Sequence, residues 1–317
     1  MIRFAIIGYG HIGKRHAEIL QQCQDTELVA ICDKNPIELT NVPYFSTIEE
    51  LFSSNIQIDV VTICTPNGLH AKHAIQALEH NCHVIIEKPV ALTKTDAEKI
   101  RQKANDGSKY VFCVMQNRFS QPSILLKELL SKGILGDIFM VQVNCFWNRD
   151  ERYYKQGSWH GTKEMDGGTL FTQFSHFIDT LYWLFGDITN IQSKFHNFSH
   201  QSTIDFEDSG IITFDFVTGG TGILNYTTST WNKNIESSIT IIGKNGSIKV
   251  SGQYMDEIEY CEIKDFQIHG ISSPSKTNHS LLIENCIKKI LGQDADVPMI
   301  EDGIHVVEMI ERMYKTK

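Results

Sequence analysis

The sequence predicts an α/β protein: a doubly wound parallel sheet in the N-terminal part, then a second domain rich in strands. Three observations carry this reading. A strand, a glycine-rich turn, a helix, a second strand and an acid follow one another within residues 2–33. Apolar runs and amphipathic helices then alternate as far as residue 119. One of those runs, His83-Val84-Ile85-Ile86, ends abruptly in Glu87-Lys88-Pro89, as a buried central strand of a parallel sheet does.

Composition bounds the function. The 317 residues are 41% hydrophobic and 21% charged, ordinary for a globular chain with a sizeable core. The length suggests two domains, placed at 1–119 and 120–317. A net charge of −9 argues against a nucleic-acid polymer or an anionic membrane surface as partner, but leaves room for a small anion at a local basic cluster. The N-terminus lacks a signal peptide's apolar region and cleavage site, and no apolar run approaches ~18 residues, so a cytoplasmic chain is expected. The eight cysteines are scattered without a C-x-x-C, which reads as reduced thiols with neither disulfide framework nor metal site.

The elements follow in order. Residues 2–7 form an apolar strand, and Gly8-Tyr9-Gly10-His11-Ile12-Gly13 opens a helix running to about Cys23. Gly8 permits the tight turn, Gly10 lets a pyrophosphate approach the backbone, and Gly13 lets the helix pack on the strand. The helix N-terminus offers free N–H groups and a positive dipole end to phosphates. A second strand at 27–32 ends in Asp33, placed to bond ribose hydroxyls and repel a 2′-phosphate, with Lys34 beside it. The set predicts binding of NAD rather than NADP. Ser46-Thr47-Ile48-Glu49 reads as a capping box, 59–64 as a strand closed by Thr65-Pro66-Asn67, and 71–80 as a helix. Thr95-Asp96-Ala97-Glu98 reads as a helix cap, and 109–115 as a strand ending in Gln116-Asn117-Arg118-Phe119. Residues just past the strands' carboxyl ends lie where open α/β sheets bind ligands, and Pro89 fixes the place at which Lys88 is presented.

In the second half, 121–132 reads as a helix and 133–137 as a turn. Residues 138–147 alternate, with Phe139, Val141, Val143, Cys145 and Trp147 on a packed face and Met140, Gln142, Asn144 and Phe146 on a semi-polar face suited to a partner subunit. Aromatics and bases then interleave from Trp147-Asn148-Arg149 through Tyr153-Tyr154 to Trp159-His160-Gly161-Thr162-Lys163. Rings offer a stacking surface to a base or sugar, and arginine offers a fork to carboxylate or phosphate. Asp166-Gly167-Gly168 precedes one long helix over 169–185, whose polar stripe is Thr172, Gln173, His176, Asp179 and Thr180. Residues 205–250 are mostly strands, with Lys244-Asn245-Gly246 as a type I′ hairpin signal. Asn278 and His279 open a helix to Leu291, where a cap or surface role is weighed against contact with substrate, and 302–314 is the last helix.

The glycine turn, Thr65-Pro66-Asn67 with His70, Glu87-Lys88-Pro89, and Gly167-Gly168 with His176 and Asp179 together resemble the Gfo/Idh/MocA oxidoreductases over essentially the whole chain. The resemblance implies an N-terminal Rossmann domain, a C-terminal domain with a large, mostly antiparallel sheet, and hydride transfer between a sugar-like alcohol carbon and a nicotinamide. It makes Lys88 and His176 the catalytic residues, with either as the ultimate base, and places Gly8–Gly13, Asp33, Lys34, Thr65, Pro66, Asn67, His70, Glu87, Lys88 and Gln116 at the cofactor. Many members carry Asp where this chain has Thr172. Gln116-Asn117-Arg118-Phe119, Phe146-Trp147-Asn148-Arg149, Tyr153-Tyr154, Trp159-His160-Gly161-Thr162 and Thr172-Gln173-Phe174-Ser175-His176 look like the branch of UDP-N-acetylglucosaminuronate 3-dehydrogenases from bacterial surface-polysaccharide pathways. That branch implies a sugar-nucleotide substrate contacted by Lys88, Arg118, Asn148, Arg149, Tyr153, Trp159, Lys163, Thr172, Gln173 and His176, and a homodimer or homotetramer. Two alternatives stay open: a dehydrogenase of a free cyclitol or sugar, and a catalytically silent NAD-holding protein.

Overall fold

The computed structural model describes residues 1–37, 41–155, 157–268 and 277–316. They form two compact units, Met1–Val114 with His279–Val307, and Met115–Asn278 with Glu308–Lys317.

The first unit is a six-stranded parallel sheet. Its strands are β1 (Ile2–Ile7), β2 (Thr26–Cys32), β3 (Tyr44–Phe45), β4 (Val60–Ile63), β5 (His83–Ile86) and β6 (Val111–Cys113), in the order β3-β2-β1-β4-β5-β6. Phe4, Ala5, Ile6, Val60, Val61, Val84, Ile85 and Ile86 are fully buried, because helices cover both faces and leave no solvent side for polar residues. The helices are α1 (His11–Gln22), α2 (Ile48–Ser53), α3 (His70–Glu79) and α4 (Lys94–Asp106). The strand order reverses between β1 and β4, which makes their carboxyl ends the ligand-binding edge. Both expected caps move along the chain. Thr47 caps α2 by accepting from Glu50 N at 3.1 Å while Glu50 reaches back to Ser46. Thr93, rather than Thr95, caps α4 by accepting from Asp96 N at 3.1 Å.

The chain returns to this unit late. Cys113 N donates to Pro298 O at 2.9 Å, Met299 bridges Phe112, and Gly303 lies so close to Val90 and Cys113 that a Cβ would meet them at 2.6–2.9 Å. β6 is a short, wholly buried edge strand, and the 279–307 segment covers it, whereas a single boundary at 119 assigned that segment to the second domain.

The second unit holds a seven-stranded sheet: β7 (Ile138–Phe146), β8 (Ile188–His196), β9 (Ser209–Phe216), β10 (Thr221–Thr227), β11 (Glu236–Gly243), β12 (Gly246–Ser251) and β13 (Glu257–Ile263). The order is β13-β12-β11-β7-β10-β9-β8, antiparallel except for the β7–β10 pair. Its helices are α5 (Gln121–Ser131), α6 (Thr169–Thr172) and α7 (Ser175–Phe185). α8 (Asn278–Ile290) belongs with the first unit, and α9 (Ile300–Lys315) ends in the second.

Val141, Val143 and Cys145 are buried as the alternation predicts, and Trp147 packs edge-on against Phe174 at 5.0 Å. Phe139 is 54% exposed instead. The register steps from Ile242↔Met140 to Gly243↔Ile138, so Phe139 is a bulged residue without a partner on β11 and turns out of the packed face. The β11–β12 hairpin forms where expected, but neither Lys244 nor Asn245 has a positive φ, so the turn is not type I′. Their N–H groups donate to Asp137 O and Leu135 O, and the neighbouring turn sets the conformation. β8 and β13 had no clear signal in the sequence. They are the sheet's two edges, half solvated and largely polar, where apolar alternation is weakest. Among the described residues, no helix is long and apolar enough to cross a membrane.

Candidate active site

In the first unit, β1 runs straight into the glycine turn. Gly8 N donates to Cys32 O at 2.8 Å with φ at +92°, a conformation L side chains rarely adopt. A Cβ on Gly13 would sit 2.0 Å from Gly8 O, so α1 packs on the turn only because Gly13 lacks one. Gly10 is the N-cap of α1, with no side-chain cap and nothing within 4 Å of where its Cβ would stand. His11 and Ile12 begin the helix there. The uncapped N–H groups and the clear approach fit a pyrophosphate. Asp33 accepts from Tyr9 N at 2.6 Å and from Asn35 N at 2.8 Å, which fixes its carboxylate at the end of β2, and Lys34 is exposed beside it. This arrangement fits NAD: the turn would hold the pyrophosphate and Asp33 the adenosine ribose.

Thr65, Pro66 and Asn67 follow β4, and Asn67 is buried. His70 is fully buried, with Nδ1 2.7 Å from Pro89 O and Nε2 2.7 Å from Thr65 O. Both ring nitrogens are therefore engaged by carbonyls, and the side chain braces the two loops rather than reaching outward. Glu87 is buried, with Oε1 3.2 Å from His16 Nε2. Burial alone would raise the Glu87 pKa, but the hydrogen bond and charge of His16 outweigh it and hold Glu87 ionised. Lys88, half-buried, lies between this anchored acid and the braced Pro89.

His279 is buried among groups of this same unit, in the field of Glu87, His16 and Arg15. Burial pushes its pKa down to about 4, and that of His73 likewise to about 4. Both stay neutral in the fold. A depressed histidine pKa stabilises the folded state fully above the unfolded value near 6.5, and the gain is lost as pH falls towards 4. The expected result is a urea midpoint that drops steeply between those limits, each histidine contributing on the order of 3 kcal/mol. His279→Gln should flatten that pH slope, and an unchanged slope would show that other groups cause it.

In the second unit, the 3-10 turn Gln116–Phe119 faces α7. Gln116 Nε2 lies 3.0 Å from His176 Nε2, both side chains buried. Gln116, assigned to the cofactor on sequence, meets the histidine here. Arg118 donates from Nε and Nη2 to Asp179 at 2.9 and 2.6 Å, with only 9% and 1% of the two side chains exposed. A guanidinium assigned to a substrate anion thus faces a carboxylate of its own chain.

Arg149 is placed differently. It lies over Trp147 at 4.8 Å and Tyr153 at 5.2 Å, and donates to Gln173 Oε1 at 2.8 Å and Asn148 O at 2.7 Å. Among the described residues it has no carboxylate partner, and burial lowers its pKa. Gln173 Nε2 donates to Tyr153 Oη at 2.8 Å, which closes an Arg149–Gln173–Tyr153 network. His160 lies between Trp159 at 3.9 Å and Tyr153 at 4.3 Å, with burial lowering its pKa to about 4. Lys163 is exposed, its backbone N donating to Asp205 at 3.3 Å. Asn148 spends its amide on Thr230 O at 2.7 Å and Arg152 at 2.9 Å, so it fastens the loop after β10 rather than presenting free polar atoms.

The expected single helix over 169–185 is broken at Gln173-Phe174. Thr172 donates to Asp166 and Gln173 is held by Arg149 and Tyr153, and these side-chain bonds separate α6 from α7. Asp166, not singled out by sequence as a site residue, is buried and also accepts from Gly161 N at 2.7 Å. Its signal was the acid before Gly167-Gly168. Thr172 therefore sits hydrogen-bonded to a carboxylate even though it carries none.

Comparison with known proteins agrees with this architecture. Residues 2–114 match an oxidoreductase family with an NAD-binding Rossmann fold, and 124–249 match the GFO/IDH/MocA C-terminal domain. The WlbA dehydrogenase of Bordetella pertussis, solved with NADH and UDP-GlcNAcA, is 30% identical with a TM-score of 0.90, over 99% of this chain and 96% of that one. The Chromobacterium violaceum WlbA dehydrogenase, solved with the same ligands, is 32% identical with a TM-score of 0.90, over 99% and 93%. An uncharacterised oxidoreductase of Synechocystis is 30% identical over 60% of this chain, which spans about half, 53%, of that relative's length. With both domains matched and the dinucleotide-binding turn in place, the chain belongs to the GFO/IDH/MocA oxidoreductase family, whose N-terminal domain binds NAD.

Proposed function

We propose that the protein is an NAD-dependent dehydrogenase that oxidises the C3 hydroxyl of a UDP-linked N-acetyl amino sugar uronate to the 3-keto sugar. Bound NAD supplies the hydride acceptor. Lys88 polarises the reacting oxygen, and His176 takes the hydroxyl proton. The observation that carries the substrate class is Arg149. A partly desolvated guanidinium lying over two rings, with no carboxylate partner among the described residues, suits a phosphate or carboxylate brought by a ligand. A neutral polyol needs no such cation. The two WlbA structures with UDP-GlcNAcA support the same reading.

Incubation with NAD and UDP-N-acetylglucosaminuronate should raise reduced-nicotinamide absorbance, with and without 2-oxoglutarate to recycle bound cofactor. Arg149→Met should raise KM for that substrate about 10- to 100-fold and leave kcat within a few-fold, the loss of one charge-assisted anion contact. Turnover of inositol or a free sugar, with no binding of the sugar nucleotide, would sink the proposal in favour of a cyclitol or sugar dehydrogenase.

A further inference from the structure

We propose that Gln116 is a positioning residue that fixes which nitrogen of His176 carries the proton, with the Arg118–Asp179 ion pair holding the two elements in register. The inference rests on the reading that His176 takes the substrate proton.

The Gln116 amide is placed with its nitrogen 3.0 Å from His176 Nε2, in a buried contact that leaves Gln116 Oε1 without a hydrogen-bond partner. An amide presents either its nitrogen or its oxygen, related by a half-turn about χ3. With nitrogen presented, Nε2 accepts, Nδ1 carries the hydrogen, and the ring is no base. With oxygen presented, Nε2–H donates to Oε1 and Nδ1 keeps its lone pair. A proton-abstracting His176 requires the second arrangement. The substrate O–H bond then breaks, an Nδ1–H bond forms, and Oε1 stays bonded to the resulting imidazolium. In that second arrangement Gln116 occupies Nε2, so proton abstraction falls to Nδ1.

The frame is rigid because two links join the 3-10 turn to α7. Gln116 and Arg118 stand two residues apart on the turn, and His176 and Asp179 three apart on the helix. The Arg118–Asp179 pair is bidentate and nearly solvent-free, so it fixes orientation as well as distance. Trp183 flanks Arg118 at 5.6 Å. Other charged groups around α7 are already committed. Lys127 on α5 donates to Trp183 O, and Glu128 pairs with Lys132. Arg149 bonds Gln173, Asp166 bonds Thr172, and Glu207 accepts from Tyr226 beside Phe174.

The test compares pH–rate profiles and NAD affinity of the wild type, Gln116→Met, Gln116→Glu, Asp179→Asn and Asp179→Glu, with histidine-selective ¹⁵N spectra of the wild type. Gln116→Met should lower kcat at least tenfold with KM and NAD affinity within threefold. Gln116→Glu places a carboxylate on Nε2–H, favours the imidazolium, and should move the rising limb up by at least one pH unit, with rate recovered at high pH. Asp179→Glu should retain more rate than Asp179→Asn. The wild-type spectrum should show His176 protonated at Nε2. A proton on Nδ1, or Gln116 variants that lose NAD affinity while keeping the limb in place, would overturn the inference. The spectrum stands even where a variant does not fold. If His176→Gln keeps its rate, the functional assignment fails while the spectrum still decides whether Gln116 sets the tautomer, so the two failures are distinguishable.

Discussion

Lys88→Met is expected to reduce kcat by about 10²- to 10⁴-fold while leaving NAD affinity within a few-fold. The reason lies in how the lysine is held. Glu87 N donates to Ile63 O and Val114 N to Ile86 O, each at 3.0 Å, so the end of β5 is fixed by the strands on both sides. Glu87 is anchored on His16, and Pro89 O lies 2.7 Å from His70 Nδ1. The chain on either side of Lys88 is therefore immobilised, and the ammonium swings only about its own side chain. Methionine keeps the length and apolar stem and removes the charge and donors. Stopped-flow hydride transfer and NAD titration separate the two effects. A variant that loses cofactor and keeps rate would show that Lys88 holds the dinucleotide rather than the reacting oxygen.

His176→Gln is expected to cost about 10²- to 10³-fold in kcat, and to abolish the rising limb of the pH–rate profile, since glutamine does not titrate. The fold should tolerate the change. Glutamine retains a polar head for Gln116, the Arg118–Asp179 pair is untouched, and Thr180 Oγ1 bonds the backbone carbonyl of residue 176 rather than its ring. An unchanged thermal midpoint together with the lost limb is the expected signature. Retention of wild-type rate and limb would assign the proton to another group. Failure of the wild type to turn over any polyol, with NAD still bound, would favour the silent NAD-holding alternative.

Most of the first unit was legible along the chain. A strand buried on both faces must be apolar throughout, so β1, β4 and β5 announce themselves, and the glycine turn is dictated by a close approach that no other residue allows. In the second unit the packed face of β7 was plain from Val141 onward, though not at the bulged Phe139, while edge strands β8 and β13 were not, since solvated strands need no apolar alternation. The helix caps slipped by one or two positions because several hydroxyls compete at each start and only the tertiary entry angle selects one.

The candidate site divides along the same line. The types and spacing of Gly8, Gly10, Gly13, Asp33, Lys88 and His176 were set by local chemistry: a turn, a helix start, a strand end and a helix face. Which polar side chain meets which was not. Arg118, Arg149 and Lys163 are alike as cations, yet one is neutralised by Asp179, one lies over two rings with no acid partner among the described residues, and one is exposed. Pairing of charges depends on residues tens of positions apart, and the free energy of a cation depends on burial and counter-ion rather than on its neighbours in sequence. The chain by itself determined the coenzyme fold and the chemistry available to it. The tertiary structure alone decided that Gln116 meets His176 and that Arg149 has no carboxylate partner among the described residues, because both follow from long-range packing.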